Sequence, residues 1–338
     1  MPLTDLSYDE LVDYRPALDA PDDFDAFWQR TLSAAREHTG APELTPVADS
    51  LLATVEVFDV RFPGWNGEPV AAWLLLPKGG DSADGPLPVI VKYLGYSSGR
   101  GVPNNHLLPP AAGYAHLVVD SRGQGHDTPD HGEGPGTQWA EGFMTRGIGN
   151  PHHHYYRRLI TDCVRAVDAA RQFPQVDPER VIVAGGSQGG GLALAVAGLA
   201  SDLIAAVLTD VPFLCHYRRG AEAATQGPYI ELTKYLRLHS RKAVETTFAT
   251  LAYFDGVHFA QRATVPALFS VGLMDPICPP STVYAAYNRY AADVRDITVW
   301  PFSDHGGGYG DAATTQLEWL RAHGLSPKSV HPAAVQAS

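Results

Sequence analysis

The segment AGGSQGGG, residues 184–191, places Ser187 at the centre of a Gly-x-Ser-x-Gly pattern. The run RVIVAG precedes the pattern and an Ala/Leu/Val-rich run follows it, which predicts a strand, a sharp turn and a helix. A P-loop would need Lys and then Ser or Thr after the last glycine, and no Gly-x-Gly-x-x-Gly register fits here. A glycine-rich turn with an incidental serine is the plain alternative. The flanking strand and helix favour a nucleophile elbow, in which the neighbouring glycines make room for a strained serine.

An elbow serine needs a base to take its proton and an acid to orient that base. In folds built around such an elbow, the acid and then the histidine follow the serine along the chain. Asp275 follows the apolar run PALFSVG, and His305 follows DITVWP, so both are expected at strand ends. We predict Asp275 as the acid and His305 as the base. Asp210 also ends an apolar run and is the rival acid, whereas Asp304 should point away from the neighbouring His305 ring.

The tetrahedral oxyanion needs hydrogen-bond donors as well. We predict the backbone N–H of Gln188, directly after the nucleophile, and the backbone N–H of Tyr93, after an early apolar run. No metal site is expected, because the histidines of residues 152–154 have no acidic cluster beside them. The cysteines, at 163, 215 and 278, are spaced too irregularly for a zinc site or a disulfide framework.

The elements that must position these residues follow from the apolar pattern. Short Val/Ile/Leu runs alternate with helical segments, which predicts a mostly parallel, doubly wound sheet of about eight strands. An Asn66-Gly67 turn between two further apolar runs predicts an antiparallel start. The predicted strands are 54–62, 70–77, 87–95, 114–120, 180–185, 204–210, 266–272 and 296–301, and the clearest helices are 22–38 and 155–173.

Two segments interrupt the alternation of strands and helices. Residues 121–153 are rich in Gly, His and Pro, which is typical of a long loop that shapes a site. Residues 211–262 are helical and aromatic, and we expect them to form a cap over the carboxyl edge of the sheet. We predict a single domain over 1–325 and a frayed tail over 326–338.

The composition restricts the partners. The 338 residues include 25 Lys and Arg against 37 Asp and Glu, a formal net charge of −12. Such a charge disfavours nucleic acids and anionic membrane surfaces, and leaves small molecules as partners. The acidic N-terminus has no signal-peptide pattern, and no apolar stretch is long enough for a membrane span. We therefore expect a cytoplasmic protein.

Several motifs resemble one family of carbohydrate esterases. DSRGQG (120–125), GGSQGGG (185–191) and GLMDPICPPST (272–282) are similar to motifs of the acetyl xylan esterase and cephalosporin-C deacetylase family. The resemblance continues along 1–325, in segments that begin at residues 14, 142, 155, 210 and 251. It implies an α/β-hydrolase fold and a serine esterase without a cofactor. Such an enzyme removes acetyl groups from small oxygen esters, such as acetylated xylo-oligosaccharides and cephalosporin C, and assembles as a hexamer whose active sites face an internal cavity.

The resemblance also assigns roles to individual residues. The positions that match the family's functional motifs are Ser187, Asp275 and His305 for the triad, Tyr93 and Gln188 for the oxyanion, and Arg122, Gly123, Gln124 and Gly125 for a supporting loop. One position departs from the family, because Gly306 stands where a glutamate normally follows the catalytic histidine. We expect this loss to remove a charged anchor of the histidine loop.

The sequence is also compatible with two other functions. The cap could select longer acyl esters or peptides, or the chain could be a non-catalytic binding protein on a hydrolase scaffold.

Overall fold

One mixed sheet forms the centre of the molecule. The computed structural model describes residues 5–79, 85–132 and 141–328. Within these ranges nine strands join in the order β1-β2-β3-β5-β4-β6-β7-β8-β9. The strands are β1 (Glu43–Pro46), β2 (Val55–Pro63), β3 (Pro69–Pro77), β4 (Leu87–Tyr93), β5 (Ala115–Val119), β6 (Val176–Gly186), β7 (Ala206–Asp210), β8 (Ala267–Gly272) and β9 (Arg295–Trp300).

The pairing of the strands confirms the predicted fold class. Strands β1, β2, β3 and β5 pair antiparallel, and every pair from β5 through β4 to β9 is parallel. Asn66 and Gly67 both have positive φ, 54° and 70°, as a tight hairpin turn between β2 and β3 requires. The prediction of about eight strands missed β1, because its four residues ELTP lie mostly exposed at the sheet edge and carry no apolar pattern.

The helices cover both faces of the sheet. They are α1 (Tyr8–Val12), α2 (Phe24–Arg36), α3 (Leu108–Ala111), α4 (Tyr155–Ala170), α5 (Gln188–Leu199), α6 (Tyr217–Ala223), α7 (Tyr229–Leu238), α8 (Val244–Leu251), α9 (Gly256–Ala260), α10 (Pro280–Tyr287) and α11 (Gly310–Ala322). No helix in the described ranges is both long and apolar enough to cross a membrane.

The two faces of the sheet bury different cores. On β4, Val89 and Val91 belong to the large core that includes α4 and α5, whereas Ile90 belongs to the smaller core under α11. Because alternate residues of the central strands are buried on opposite faces, these strands read as continuous apolar runs in the sequence.

The carboxyl edge of the parallel strands collects the predicted catalytic residues. Ser187 follows β6, Asp275 lies three residues after β8, and His305 lies five residues after β9. Helices α6 to α9 lie between β7 and β8, within the range predicted as a cap. Helix α7 reaches the loop after β4, where Tyr96 contacts Glu231, and α9 packs against α5.

Some of the predicted segments fall partly outside the described residues. The long loop predicted over 121–153 includes residues 133–140, which are not described, and its described parts are irregular apart from the short turn Pro151–His153. Most of the predicted tail, from residue 329 onward, is also outside the described range. The division into one domain and a tail therefore stays a prediction.

Candidate active site

Ser187 lies in a strained turn. Its backbone has φ 56° and ψ −121°, a region that residues with a side chain rarely adopt. A Cβ added at Gly185 would lie 2.3 Å from the carbonyl carbon of Gly189, and one added at Gly189 would lie 2.2 Å from the carbonyl oxygen of Tyr93. Both positions therefore need glycine, as the elbow interpretation requires.

The two glycines beyond the elbow pattern have a packing role. A Cβ added at Gly191 would lie 2.1 Å from the carbonyl oxygen of Phe213, and one at Gly190 would lie 2.8 Å from Thr209 Oγ1. These glycines let the first turn of α5 approach β7 and the segment after it. The positive end of the α5 helix dipole therefore lies directly behind Ser187, where it favours a developing negative charge.

Asp275 and His305 form the pair that the sequence predicted. His305 Nδ1 lies 2.7 Å from Asp275 Oδ2, and the histidine side chain is 22% exposed. Asp275 Oδ1 accepts the backbone N–H groups of Ile277 and Cys278, at 2.8 and 2.9 Å. Because these two bonds orient the carboxylate, Oδ2 faces His305 Nδ1 and keeps the proton there. Nε2 of His305 is then left as the proton acceptor.

The other two acidic candidates face different partners. The Asp210 carboxylate accepts hydrogen bonds from the Ser270 hydroxyl at 2.9 Å and from Gln316 Nε2 at 2.5 Å. Burial raises the pKa of this carboxyl. Asp304 accepts the Gly306 N–H at 2.9 Å and the Tyr309 hydroxyl at 2.8 Å. The geometry therefore favours Asp275 as the partner of His305.

The loop that carries His305 is closed by hydrogen bonds to Asp304. Hydrogen bonds, first from Gly306 N–H and then from the Tyr309 hydroxyl, lower the pKa of Asp304. A Cβ added at Gly306 would lie 2.3 Å from Tyr309 Cζ, so the tyrosine ring lies against the glycine. Glycine at 306 thus allows a contact between Asp304 and Tyr309 that holds the loop.

Cys278 is a site residue that the sequence reasoning missed. Its side chain is buried, and its Sγ lies within 4.8 Å of a carboxylate oxygen of Asp275 and a ring nitrogen of His305. Burial raises the pKa of the thiol well above its usual range, so the neutral thiol predominates. The only signal in the sequence was its position three residues after Asp275, inside the motif DPICPP.

Asp275, Cys278 and His305 together offer a carboxylate, a thiol and an imidazole, which are zinc-type ligands. Two ligands of one tetrahedral zinc ion lie about 3.3–3.6 Å apart, given metal–ligand bonds of about 2.0–2.2 Å. The 2.7 Å between His305 Nδ1 and Asp275 Oδ2 is shorter and matches a hydrogen bond. This pair is therefore arranged to share a proton.

The side chain of Gln188 connects the elbow to two loops. Its Nε2 donates to the carbonyl oxygens of Leu94 and Gly95, at 3.2 and 3.4 Å, in the loop after β4. Its Oε1 accepts Gln124 Nε2 at 2.8 Å and the Tyr156 hydroxyl at 3.1 Å. The sequence predicted a backbone role for Gln188, and the structure adds that its buried amide holds the neighbouring loops.

Tyr93 is the last residue of β4. It pairs with Gly185 in the parallel ladder, and its hydroxyl donates to the carbonyl oxygen of Cys163 at 2.8 Å, in the core. The loop that faces the elbow starts one residue later. In that loop the ring of Tyr96 lies 6.1 Å from the ring of Phe213, whose backbone N–H donates to the Ser187 carbonyl oxygen at 2.9 Å.

The loop of residues 122–125 supports the site from beside it. The buried guanidinium of Arg122 binds both oxygens of Asp162, at 2.7 and 3.0 Å, and also binds Glu68. Gly125 leaves room for Asp120, since an added Cβ would lie 2.0 Å from its Oδ1, and Gly123 has a φ of 67°. Gln124 Oε1 accepts the Ser97 N–H at 2.6 Å, which ties this loop to the loop after β4.

The sheet order, the strained serine and the His–Asp pair at the carboxyl edge define the α/β-hydrolase class. Residues 1–323 match the acetyl xylan esterase (AXE1) family, and the chain belongs to this family. The predicted resemblance is confirmed, and the chain is an ester hydrolase.

Individual relatives agree with this assignment. The acetyl esterase Axe7A of Xylanibacter ruminicola is 27% identical over 322 residues, which are 91% of this chain and 68% of that protein. The acetyl xylan esterase from Paenibacillus sp. R4 superposes with a TM-score of 0.89 and 38% identity, over 94% of this chain and 99% of that one. Acetyl xylan esterase 1 from Thermoanaerobacterium sp. JW/SL YS485 superposes with a TM-score of 0.86 and 33% identity, again over 94% and 99% of the two chains.

Proposed function

We propose that this esterase removes acetyl groups from small oxygen esters through an acyl-enzyme on Ser187. Ser187 Oγ attacks the acetyl carbonyl while His305 Nε2 takes its proton, and Asp275 holds the imidazole. The tetrahedral intermediate collapses, and the alcohol leaves with the proton from His305. Water then attacks the acetyl-serine, again giving a proton to His305, and acetate is released as Ser187 recovers its hydrogen.

The oxyanion would accept two backbone donors. The first is the N–H of Gln188, at the start of α5. Tyr93 was the predicted source of the second donor, but Tyr93 is the last residue of β4, which favours a donor from the loop that follows. We place the second donor at the backbone N–H of Tyr96, because this loop is tied to the elbow by the Gln188 side chain. Each such donor is worth on the order of a hundredfold in rate.

The observation that carries this proposal is the 2.7 Å contact between His305 Nδ1 and Asp275 Oδ2, at the sheet edge that also holds the strained Ser187. The direct test is hydrolysis of p-nitrophenyl acetate by the wild type and by Ser187→Ala. We expect kcat to fall by at least about 10⁴-fold. Ser33→Ala, an exposed serine on α2, is the matched control and should keep wild-type activity. Equal rates for wild type and Ser187→Ala would overturn the mechanism.

Labelling tests whether the protein is a catalyst rather than a binding protein. An organophosphonate should label the wild type once per chain and should leave Ser187→Ala unlabelled. No labelling of the wild type would favour the non-catalytic alternative.

The finer substrate assignment is acetylated xylo-oligosaccharides or cephalosporin C. A series of p-nitrophenyl esters from acetyl to octanoyl tests the acyl part, and kcat/KM should be highest for acetyl. A maximum beyond butyryl would instead support the alternative of a longer-chain esterase. Deacetylation of xylobiose acetates and of cephalosporin C, measured by acetate release, tests the alcohol part.

We further propose a cytoplasmic homo-oligomer, a hexamer by resemblance to the family. The three cysteines are free and buried, as a reducing compartment allows. A cytoplasmic location implies short oligosaccharides, because polymeric xylan does not enter cells. Light scattering coupled to size-exclusion chromatography tests the assembly, and a mass near 36.4 kDa, that of one chain, would contradict it.

A further inference from the structure

Glu231 on α7 joins three segments that are far apart in the sequence. The Tyr96 hydroxyl lies 2.7 and 2.9 Å from its two carboxylate oxygens, and the Met144 N–H donates to Oε2 at 3.2 Å. The Tyr96 hydroxyl oxygen in turn accepts the Phe143 N–H at 2.5 Å. One carboxylate thereby connects the inserted helices, the loop after β4 and the segment before α4. We call Glu231, Tyr96, Phe143 and Met144 the Glu231 clamp.

The chain accommodates this carboxylate closely. Gly142 has a φ of 91°, and a Cβ added there would lie 2.0 Å from Glu231 Oε1. The Tyr96 ring packs edge-on against Phe143 at 5.5 Å and against Phe213 at 6.1 Å. Because the backbone of Phe213 is bonded to Ser187, the clamp is in contact with the elbow.

The side chain of Glu231 changes its charge near neutral pH. Burial raises the pKa of its carboxyl to about 7, against hydrogen bonds from the Tyr96 hydroxyl and the Met144 N–H, and the charge of Glu141 adds to the rise. Lys234, on the same helix, faces Glu141 at 3.7 Å. Glu231 therefore changes from a neutral acid to a carboxylate within the pH range in which esterases are assayed.

We propose that Glu231 is a positioning residue for ester hydrolysis, whose carboxylate holds the Tyr96 loop where its backbone donates to the oxyanion. The inference rests on the proposed function, because it assigns the second donor to that loop. Hydrogen bonds to a charged acceptor are roughly twice as strong as neutral ones. Protonation removes that charge and adds an O–H that competes with the donors of Tyr96 and Met144. The loop then loosens and the oxyanion loses part of its stabilisation.

The test compares the wild type with Glu231→Gln, a neutral and isosteric side chain. The quantity measured is kcat for p-nitrophenyl acetate per chain that an organophosphonate labels, which corrects for any unfolded fraction. We expect the ratio of wild-type to variant kcat to be about 10 at pH 8.5, part of the hundredfold value of one donor. The ratio should fall toward 1 at pH 5.5, with a midpoint near the raised pKa of Glu231. Any other pH effect that the two proteins share cancels in the ratio.

Two further variants complete the design. Glu222→Gln, the same change at an exposed position on α6, should give a ratio of 1 at every pH. Tyr96→Phe removes the hydroxyl that bonds to Glu231, and its kcat should fall about tenfold. The double variant Tyr96→Phe/Glu231→Gln should have nearly the same kcat as Tyr96→Phe, because the two residues act as one unit.

Two results would overturn the inference. A ratio that does not change with pH would show a merely structural role for Glu231, and a ratio of 1 throughout would show no role. These failures are separate from failure of the proposed function, which Ser187→Ala alone decides. Suppose that the wild type hydrolyses the ester and Ser187→Ala does not. An unchanged kcat in Glu231→Gln then contradicts only the positioning role of Glu231 and leaves the proposed function in place.

Discussion

Replacing Asp275 with asparagine tests the acid–base pair, because the neighbouring groups fix the orientation of the side-chain amide. Oδ1 of Asp275 accepts two backbone N–H groups, from Ile277 and Cys278, and Oδ2 faces His305 Nδ1. In Asp275→Asn the amide oxygen must take the Oδ1 position, since an NH₂ group there would face two donors. The NH₂ group then faces His305 Nδ1 and forces its proton to Nε2. A histidine in that tautomer cannot accept the proton of Ser187.

The magnitude follows from the loss of the general base. An isosteric change that leaves the geometry intact but imposes the wrong tautomer costs about 10⁴-fold in kcat. That corresponds to about 5 kcal/mol in the activation free energy. Stability should change little, because the two backbone hydrogen bonds to the side-chain oxygen are kept. We therefore expect a folded protein, with unchanged KM and almost no turnover of p-nitrophenyl acetate.

The matched control is Asp210→Asn. Asp210 is also buried at the carboxyl edge, but its oxygens are bonded to Ser270 and Gln316, and burial already favours its neutral form. Its kcat should stay within about tenfold of wild type, well short of the loss expected from the wrong tautomer. The reasoning is refuted if Asp275→Asn keeps a tenth or more of wild-type kcat, or if Asp210→Asn loses as much as Asp275→Asn. Thermal unfolding of each variant excludes misfolding as the cause.

Three further outcomes follow from the packing and electrostatics. Gly189→Ala should lower kcat about 100-fold, since its Cβ would lie 2.2 Å from the Tyr93 carbonyl oxygen and displace the oxyanion loop. Gly186→Ala, with no neighbour closer than 3.8 Å, should change kcat little, and equal losses from the two would contradict this account. Arg122→Met leaves the buried carboxylate of Asp162 without its ion-pair partner. The free energy of unfolding, measured in urea, should therefore fall by about 3–5 kcal/mol. A loss under about 1 kcal/mol would be too small for a buried ion pair. Because folding raises the pKa of Glu231 from 4.5 to about 7, the folded state binds its proton more tightly, so stability should decrease as pH rises through this range. Glu231→Gln should flatten that decrease, and an unchanged slope would assign it to other groups.

Much of the fold and of the candidate triad could be predicted from the sequence because the signals are local. The Gly-x-Ser-x-Gly pattern between an apolar run and a helical run indicates a strained turn wherever it occurs. Parallel strands buried on both faces need uninterrupted apolar residues, so eight of the nine strands within the described ranges were found. Given that topology, the chain order of Ser187, Asp275 and His305 was enough to place all three at one edge.

The residues that support the site could not be predicted in the same way, because their partners are distant in the chain. Gln188 meets Gln124 across 64 residues, and Glu231 meets Tyr96 across 135. The sequence pattern gives Cys278 no role, although in the folded protein its Sγ lies within 4.8 Å of Asp275 and His305 side-chain atoms. Tyr93 was predicted as an oxyanion donor, and the ladder with Gly185 shows that it is the last residue of a strand.

The sequence by itself therefore determined the class of the fold, the strained turn at Ser187 and the chain order of the candidate triad, since periodicity and turn geometry are properties of short segments. The tertiary structure decided which of three aspartates faces His305, how Asp304 and Tyr309 anchor the loop around Gly306, and which carboxylate holds the Tyr96 loop. Whether two polar groups meet depends on the packing of whole strands and helices at the sheet edge, and no local pattern carries that information.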